Sequence, residues 1–521
     1  MSDPVAGPAA PIRPTEVALL ASVFVVAACG LVYELAAGTL ASYLLGDSIL
    51  QFSTVIGTYL FAMGVGSWLS RYLERQLVAH FLRIELLVGL IGGLMPAILF
   101  ALQSQTTSSF RFALYALVLV VGILVGLEIP LVMRILRRHS GADGHGRGGL
   151  KTLVSQVLTF DYLGALAVSI AFPLLLVPQL GLIRTGALFG LMNAGVAVWA
   201  LWLFRGELRG LAAQALACAL TIAALAAAFV FADRVTTWAE DRFYADHVIY
   251  SETSAYQRVV VTASRAGVRL FLNGNLQFHS RDEYRYHEAL VHPALSAQGA
   301  PRRVLVLGGG DGMAVREILK YPSVEHVTLV ELDPHMTKLF STMPLLRSLN
   351  GDSLHSPKVE IVNADAFAWL EQHDGMFDAI VVDFPDPTNF SIGKLYTRTF
   401  YELVESHLSA SGYAVVQTTS PLIARKSFWT VVTTLEAAGL TTTPYHAHVP
   451  SFGEWGFIVA SRRPFRLPTT LPPNLRFLTV AGLPALFDFP PDMSRVPTEI
   501  NRLSNQVLVQ TFEDEWGKVQ R

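Results

Sequence analysis

Long apolar runs fill the first half of the chain, and short ones broken by glycine, proline and charge fill the second. Apolar stretches of spanning length recur at about 17–45, 49–70, 84–102, 111–136, 152–177, 181–204 and 211–232. Each is near or above the roughly 20 residues an α-helix needs to cross a bilayer. Short polar breaks separate them, among them Arg71 to Arg83 and the glycine-rich, basic Arg137 to Lys151. The pattern predicts an all-α polytopic membrane domain of about seven helices over 17–232, behind an N-terminal tail of residues 1–16. Gly57, Gly64, Gly66 and Ser67 would let neighbouring helices approach closely.

From Asp233 the chain turns polar and aromatic, which sets a domain boundary near 233–245. Tyr256 to Val261 and Val268 to Leu272 read as strands. Asn273-Gly274 is a hairpin signal before Asn275 to Phe278, so a small β-domain is expected at 245–295. Arg281 to Glu288 then enters a helix ending near His292-Pro293. Over 300–465 strands alternate with helices, as in an open α/β sheet of Rossmann-like, methyltransferase type. Its first unit is Arg303 to Leu307, an apolar run stopping at Gly308-Gly309-Gly310-Asp311-Gly312, with a helix opening at Met313. Strands follow at His326 to Glu331, Val359 to Val362, Phe377 to Asp383 and 413–417, with a helix at 399–407. Residues 466–521 read as a proline-rich C-terminal tail.

Composition sharpens the contrast between the halves. Of 521 residues, 52% are hydrophobic and 15% charged, and the mean hydropathy of +0.42 is too apolar for a wholly soluble protein. A formal net charge of −2 gives no sign of a nucleic-acid partner. The two cysteines, Cys29 and Cys218, sit far apart in apolar runs and fit no metal or disulfide framework. The first apolar run is too long for the core of a cleavable signal peptide. Lys and Arg concentrate after the second, fourth and sixth apolar stretches, which assigns those loops to the cytoplasm. Seven spans would then leave the C-terminal half outside, although a domain using a cytoplasmic nucleoside belongs inside. Either the span count or the charge rule fails here, and the reading favoured is a miscounted or re-entrant segment.

Glu34, Glu128 and Asp161 lie inside these apolar stretches. There a carboxylate is expensive. Either these acids form a path or pocket for a cation, or they are protonated or paired with Arg134 or the hydroxyls of Tyr33 and Tyr162.

The chemistry-bearing residues of the second half collect at strand ends. Glycines in the turn after the first strand let the backbone come close to a ligand, and the helix start offers free N–H groups. The G-x-G-x-G spacing differs from the dinucleotide fingerprint and suits a nucleoside without a pyrophosphate. Glu331, about twenty residues on, is placed to accept hydrogen bonds from ribose hydroxyls. Asp365-Ala366 opens a helix after the third strand, and Asp365 reads equally well as a helix N-cap. Asp383 ends the fourth strand, where open α/β sheets bind ligands.

Such a pocket suits S-adenosyl compounds. A methionine carboxylate near Asp311, Asp383 and Asp386 would meet like charge, whereas an aminopropyl cation would be held, so the acids favour decarboxylated S-adenosylmethionine. The second substrate is then also cationic. A primary amine with pKa near 10 arrives protonated and cannot attack carbon until it loses a proton. In Asp383-Phe384-Pro385-Asp386-Pro387 one carboxylate can take that proton while the other holds the amine in line. The leaving group is a neutral thioether, so no metal or other cofactor is called for.

Residues from about 247 to 460 resemble the polyamine aminopropyltransferases, typified by spermidine synthase. The resemblance rests on Ser254-Ala255-Tyr256-Gln257, Leu272-Asn273-Gly274 through Gln277, Arg281 to Tyr284 with Tyr286-His287-Glu288, Gly308 to Gly312, Glu331-Leu332-Asp333, and Asp383 to Pro387. Gly30-Leu31-Val32-Tyr33-Glu34 and Leu45 to Gln51 look like the multi-span version of that family. The resemblance implies that Asp383 accepts the proton and that Asp386 binds the polyamine. It implies that Gln257, Glu331, Asp365 and Ala366 hold the adenosine portion and that Asp311 binds the aminopropyl nitrogen. His287, with Gln277 and Asp282, would line the amine pocket; without the resemblance His287 reads as a surface or core histidine. Family members are usually dimers or tetramers.

The chain departs from the soluble members in three places. Thr388-Asn389-Phe390 replaces Gly-Pro-Ala after the Asp-Pro pair, Asn273 replaces the hairpin acid, and Phe452 stands where a tyrosine is expected. The resulting expectation is a multi-pass protein of the cell membrane with its catalytic domain on the cytoplasmic side. It would move an aminopropyl group from decarboxylated S-adenosylmethionine to putrescine, giving spermidine and 5′-methylthioadenosine. The rivals are an S-adenosylmethionine-dependent methyltransferase and a polyamine transporter or sensor whose soluble half only binds.

Overall fold

The computed structural model describes residues 14–45, 48–102, 107–139, 147–244, 246–254 and 256–519. All but the last three residues of the N-terminal tail expected at 1–16, and Ala255 of the motif above, lie outside the described residues. The chain divides into two compact units, Met1–Ala245 and Asp246–Arg521, close to the boundary expected from the change of composition.

The first unit is helical: α1 (Pro14–Leu45), α2 (Ser48–Leu69), α3 (Leu77–Leu102), α4 (Thr107–His139), α5 (Arg147–Ala171), α6 (Val177–Leu203), α7 (Leu211–Val230) and the polar α8 (Ala232–Phe243). Six stretches among the described residues are long and apolar enough to cross a membrane, and the fifth runs for 50 residues, Val154–Leu203. A straight helix of that length would span about 75 Å, more than twice a hydrocarbon core of about 30 Å. Gly181, at φ 72° and ψ 171°, breaks the run in two, a conformation that costs glycine little. Large apolar side chains such as Phe61, Phe112 and Leu174 face outward, 68%, 78% and 68% exposed, as suits a surface solvated by lipid.

Two expectations for this unit need correction. Of the glycines expected to bring helices together, Gly57 and Gly64 have nothing within 4 Å of an added Cβ. At Gly66 a Cβ would strike the Ile123 carbonyl and lie 3.0 Å from the Gly126 Cα, so α2 and α4 touch through backbone there. Arg134 does not pair with the membrane acids. Its guanidinium donates to the carbonyls of Ser70 at 2.7 Å and Leu73 at 3.1 Å, closing the end of α2.

The second unit opens with a four-stranded antiparallel sheet, β1 (His247–Thr253), β2 (Arg258–Ser264), β3 (Gly267–Leu272) and β4 (Asn275–His279). Asn273 and Gly274 take φ of 49° and 81°, the two left-handed residues that a tight hairpin needs. The Asn273 side chain also accepts the Arg258 N–H at 2.9 Å. Helix α9 (Glu283–Gln298) follows and, against expectation, runs straight through Pro293. Proline deprives the Ala289 carbonyl of its helical donor, and the Tyr445 hydroxyl supplies one at 2.7 Å. The donor lies 156 residues away, so no local reading could foresee it.

The main sheet contains β5 (Arg303–Gly308), β6 (His326–Glu331), β7 (Val359–Asn363), β8 (Phe377–Asp383), β9 (Leu408–Thr418), β10 (Thr441–Val449) and β11 (Gly453–Ser461). Their order is β10-β11-β9-β8-β5-β6-β7, with β5 to β9 parallel and the last hairpin antiparallel. Strand β5 is apolar from Val304 to Leu307 because both faces are covered there. Val304 and Val306 join one core, and Leu305 and Leu307 join the other. Strand β10 contains Pro444, which suppresses a strand reading but fits an edge. The remaining helices are α10 (Met313–Ile318), α11 (Pro334–Thr342), α12 (Pro344–Leu349), α13 (Ala366–Gln372), α14 (Phe390–Gly393), α15 (Arg398–Ser406), α16 (Arg425–Ala437), α17 (Leu483–Leu486) and α18 (Val507–Val519).

Residues 466–519 are more than a tail. The Glu288 carboxylate on α9 accepts the N–H groups of Arg476, Phe477 and Leu478 at 2.7, 2.8 and 3.0 Å. Glu515 on α18 in turn caps the start of α16, accepting from Lys426 and Ser427. Such fastenings join backbone to distant carboxylates and leave no local pattern.

Candidate active site

Parallel pairing decides which strand ends meet. Gly308 stands opposite Asp383, and Leu307 opposite Val330, so the ends of β5, β6 and β8 lie level. Gly308, Gly309 and Gly312 all take positive φ, 80°, 66° and 75°. The turn needs glycine for space as well. A Cβ on Gly309 would lie 2.9 Å from Asp383 Oδ2, and one on Gly310 2.7 Å from Glu331 Cγ. The glycine turn is therefore pressed between the two acids that the sequence singled out.

Asp383 is partly exposed and accepts a hydrogen bond from the Tyr286 hydroxyl at 2.6 Å. Burial of the carboxyl group pushes its pKa up to about 6; the nearby His287 cation and the Tyr286 bond pull down, and Asp311 pushes up. Asp386 follows on the same loop, lifted to about 7 by burial, with Oδ1 buried and without a hydrogen-bond partner. The loop is gripped from behind. Tyr396 donates to the Pro385 carbonyl at 3.0 Å, Gln417 donates to that of Phe384, and Trp455 holds the Gln417 oxygen at 3.1 Å.

His287 is buried on α9 with Nδ1 2.8 Å from Glu283 Oε2. Burial alone would lower its pKa. The Glu283 bond and charge, helped by Asp311 and Asp383, outweigh burial and raise it to about 9. Glu283 is buried too, yet His287 and the Arg316 guanidinium, whose two nitrogens lie at 2.9 and 3.1 Å, hold it down at about 2. An imidazolium thus stands beside Asp383 and Asp311, which makes the neighbourhood less negative than the acids alone suggest. Asp311 turns one oxygen to the Met313 N–H at 2.9 Å, closing the first turn of α10.

Glu331 is braced by backbone, accepting from Gly310 N at 3.1 Å and Asp333 N at 2.9 Å. Burial raises its pKa to about 7 despite those bonds. Gln257 reaches the same corner through Asp333, donating to Oδ2 at 3.0 Å, where Ser254 Oγ donates at 2.7 Å. Asp365 does cap a helix, accepting from Phe367 N at 2.9 Å, while Oδ2 pairs with Lys394 at 2.6 Å and buried Ala366 follows. Burial pushes Asp365 up, and Lys394 more than reverses it, so the acid stays below the usual range.

Gln277 and Asp282 are differently occupied. Gln277 Nε2 donates to the Asn275 carbonyl at 3.2 Å, within β4. Asp282 accepts from Ser451 N at 2.7 Å and Ser451 Oγ at 3.0 Å, tying the loop after β10 to the start of α9. Among the described residues no hydrogen bond joins either to Asp383 or Asp311. Tyr286, Glu283, Tyr396 and Gln417 were not singled out as site residues. Tyr286 and Glu283 lie within the quoted motifs, whereas Tyr396 and Gln417 carry no local signal.

A family model described as spermine/spermidine synthase domain matches residues 283–467. Polyamine aminopropyltransferase 1 of Ralstonia nicotianae is 56% identical over 519 residues, 98% of this chain and 97% of its own. The chain belongs to the polyamine aminopropyltransferase family. A member from Leptospira interrogans is 50% identical over 97% of this chain and 99% of its own, so the likeness to the family includes the helical unit. A crystal structure of spermidine synthase with the transition-state analogue AdoDATO matches with a TM-score of 0.43 and 26% identity, over 47% of this chain and 85% of its own. The family likeness spans Asp383, Asp311 and Glu331, which the acid pattern had already selected.

Proposed function

We propose that the second unit transfers the aminopropyl group of decarboxylated S-adenosylmethionine to putrescine, releasing spermidine and 5′-methylthioadenosine. The observation that carries this reading is the carboxyl group of Asp383, backed against the glycine turn with its pKa lifted to about 6. Above that pH it is a carboxylate, and its raised pKa makes it a better proton acceptor than an ordinary aspartate. The protonated amine gives its proton to Asp383, and the freed lone pair forms a bond to the carbon next to sulfur. The carbon–sulfur bond breaks, and its electron pair stays on sulfur as a neutral thioether. Asp386 and Asp311 hold the two cationic chains, and Glu331, with Gln257 behind it, receives the ribose. Asp365 and Ala366 border the base, while Gln277, Asp282 and His287 bound the amine side, His287 as a cation that limits how far an ammonium penetrates.

The apolar helices form a multi-pass domain of the cell membrane in this reading. One of the seven apolar segments does not cross in this reading, which places the enzyme unit on the cytoplasmic side, and the enzyme works there as a homodimer or homotetramer. The test of the chemistry is product identification by mass spectrometry after incubating the full chain with decarboxylated S-adenosylmethionine and putrescine. Asp383→Asn should lower kcat by about 10²–10⁴-fold. Methylated products, or an undiminished rate in that variant, would overturn the reading.

A further inference from the structure

The helical unit contains polar side chains that the enzyme reaction does not use. Glu85, Asn193 and Tyr33 are 0% exposed and Glu128 1%. Both carboxylate oxygens of each glutamate, both amide atoms of Asn193 and the Tyr33 hydroxyl are buried without a hydrogen-bond partner. Glu128 was singled out in the sequence; Glu85, at the start of an apolar run, was not. Glu34 and Asp161, singled out beside Glu128, are partly exposed.

The glycines of α3 show that these groups share one neighbourhood. Glu85, Gly89 and Gly92 follow at i, i+4 and i+7, on one helix face. An added Cβ on Gly89 would lie 3.1 Å from the Cβ of Asn193 on α6, and one on Gly92 2.7 Å from the ring of Tyr33 on α1. Gly30, one turn before Tyr33, faces Val125, one turn before Glu128 on α4; there an added Cβ would lie 3.1 Å from Val125 Cγ1. The Cys29 thiol donates to the Phe189 carbonyl at 3.3 Å, drawing α1 onto the Asn193 face of α6. Tyr33 lies within electrostatic reach of both Glu85 and Glu128, and the two glutamates lie within reach of each other.

We propose that the helical unit binds an organic ammonium cation between Glu85 and Glu128, with Asn193 and Tyr33 completing the set of acceptors. Two carboxylates in an apolar bundle are costly unless a cation or hydrogen-bond donors compensate them. Protonating them removes their charge but leaves the Asn193 amide and the Tyr33 phenol without partners. An ammonium group brings three N–H donors and needs acceptors from several directions, which carboxylates on two helices and an amide oxygen on a third supply. The ring of Tyr33 offers a face to the attached methylenes or the charge. A metal ion is a poorer match, since no group of three or more His, Cys, Asp or Glu among the described residues is arranged to hold one. That the cation is a diamine or polyamine rests on the reading of the enzyme unit; the acceptor set does not.

The test is equilibrium binding of radiolabelled putrescine and spermidine to the full chain in uncharged phosphatidylcholine nanodiscs. Two amine sites per chain are expected in the wild type. Combining Glu85→Gln with Glu128→Gln should leave one, and Asp383→Asn with Asp386→Asn should abolish that remaining site. Tyr33→Phe, which keeps the ring, should weaken the membrane site about tenfold, as loss of one hydrogen bond to a cation would. A single site in the wild type, or two sites surviving the double glutamine change, would overturn the proposal. Two-site binding without product formation would instead sink the enzymatic reading and leave this one standing.

Discussion

Glu283→Gln tests the electrostatics behind Asp383, because one carboxylate holds both the His287 proton and the Arg316 guanidinium. His287 is raised to about 9 from an ordinary 6.5. At about 1.36 kcal/mol per pH unit, that separation amounts to about 3 kcal/mol of stability. Because the folded-state pKa is the higher one, this contribution is complete below pH 6.5 and is lost as pH rises through about 9. Glu283, held at about 2, contributes the same interaction from the other side: present above pH 4.5 and lost as pH falls through 2. The two views describe one pair and do not add. Glutamine should therefore destabilise the enzyme unit by about 3 kcal/mol near pH 6.5, with the deficit narrowing above pH 9.

Activity should shift with it. The His287 cation pulls the Asp383 pKa down toward 6, so losing that cation raises it. The acidic limb of kcat/KM against pH should then move alkaline by on the order of one unit. Thermal melting across pH and pH–rate profiles on the full chain in detergent measure both. An acidic limb still centred near pH 6, with a stability deficit independent of pH, would refute the charged state assigned to His287.

Gly309→Ala should cost about 1–2 kcal/mol for the left-handed backbone and displace Asp383, whose carboxylate stands 2.9 Å from the new methyl position; a kcat equal to wild type would contradict that packing. Tyr445→Phe strips the Ala289 carbonyl of the donor that Pro293 cannot supply, and a melting shift equivalent to about 1–3 kcal/mol is expected. Glu288→Gln removes part of the triple acceptor holding residues 476–478. Limited proteolysis should then cut within the 466–482 segment faster than in the wild type, with the helical unit unaffected.

Local pattern carried much of this molecule. Length and hydropathy marked the helical half, and Asn273-Gly274 marked a hairpin whose two left-handed residues are present. An apolar run stopping at glycines marked β5, and acids at strand ends marked Glu331 and Asp383. Each depends on neighbours within a few residues, so each can be read along the chain. Where distant segments compete, the pattern misleads. Helix α9 continues past Pro293 because a tyrosine in β10 feeds the freed carbonyl, and β10 itself hides behind Pro444. Asp365 takes the helix-cap reading, closing the start of α13 while Lys394 occupies its other oxygen.

What the sequence determined alone was the kind of chemistry: apolar length, turn glycines, and carboxylates where parallel strands end. Which carboxylate is neutral, paired or poised came only with the tertiary structure. Burial and opposite charge act through space over a few ångströms, and folding strings Arg316, Glu283, His287 and Asp383 into one chain of neighbours from residues scattered over a hundred positions. The same reason kept Glu85 out of sight, since nothing beside it in the chain announces that Glu128, Tyr33 and Asn193 close around it.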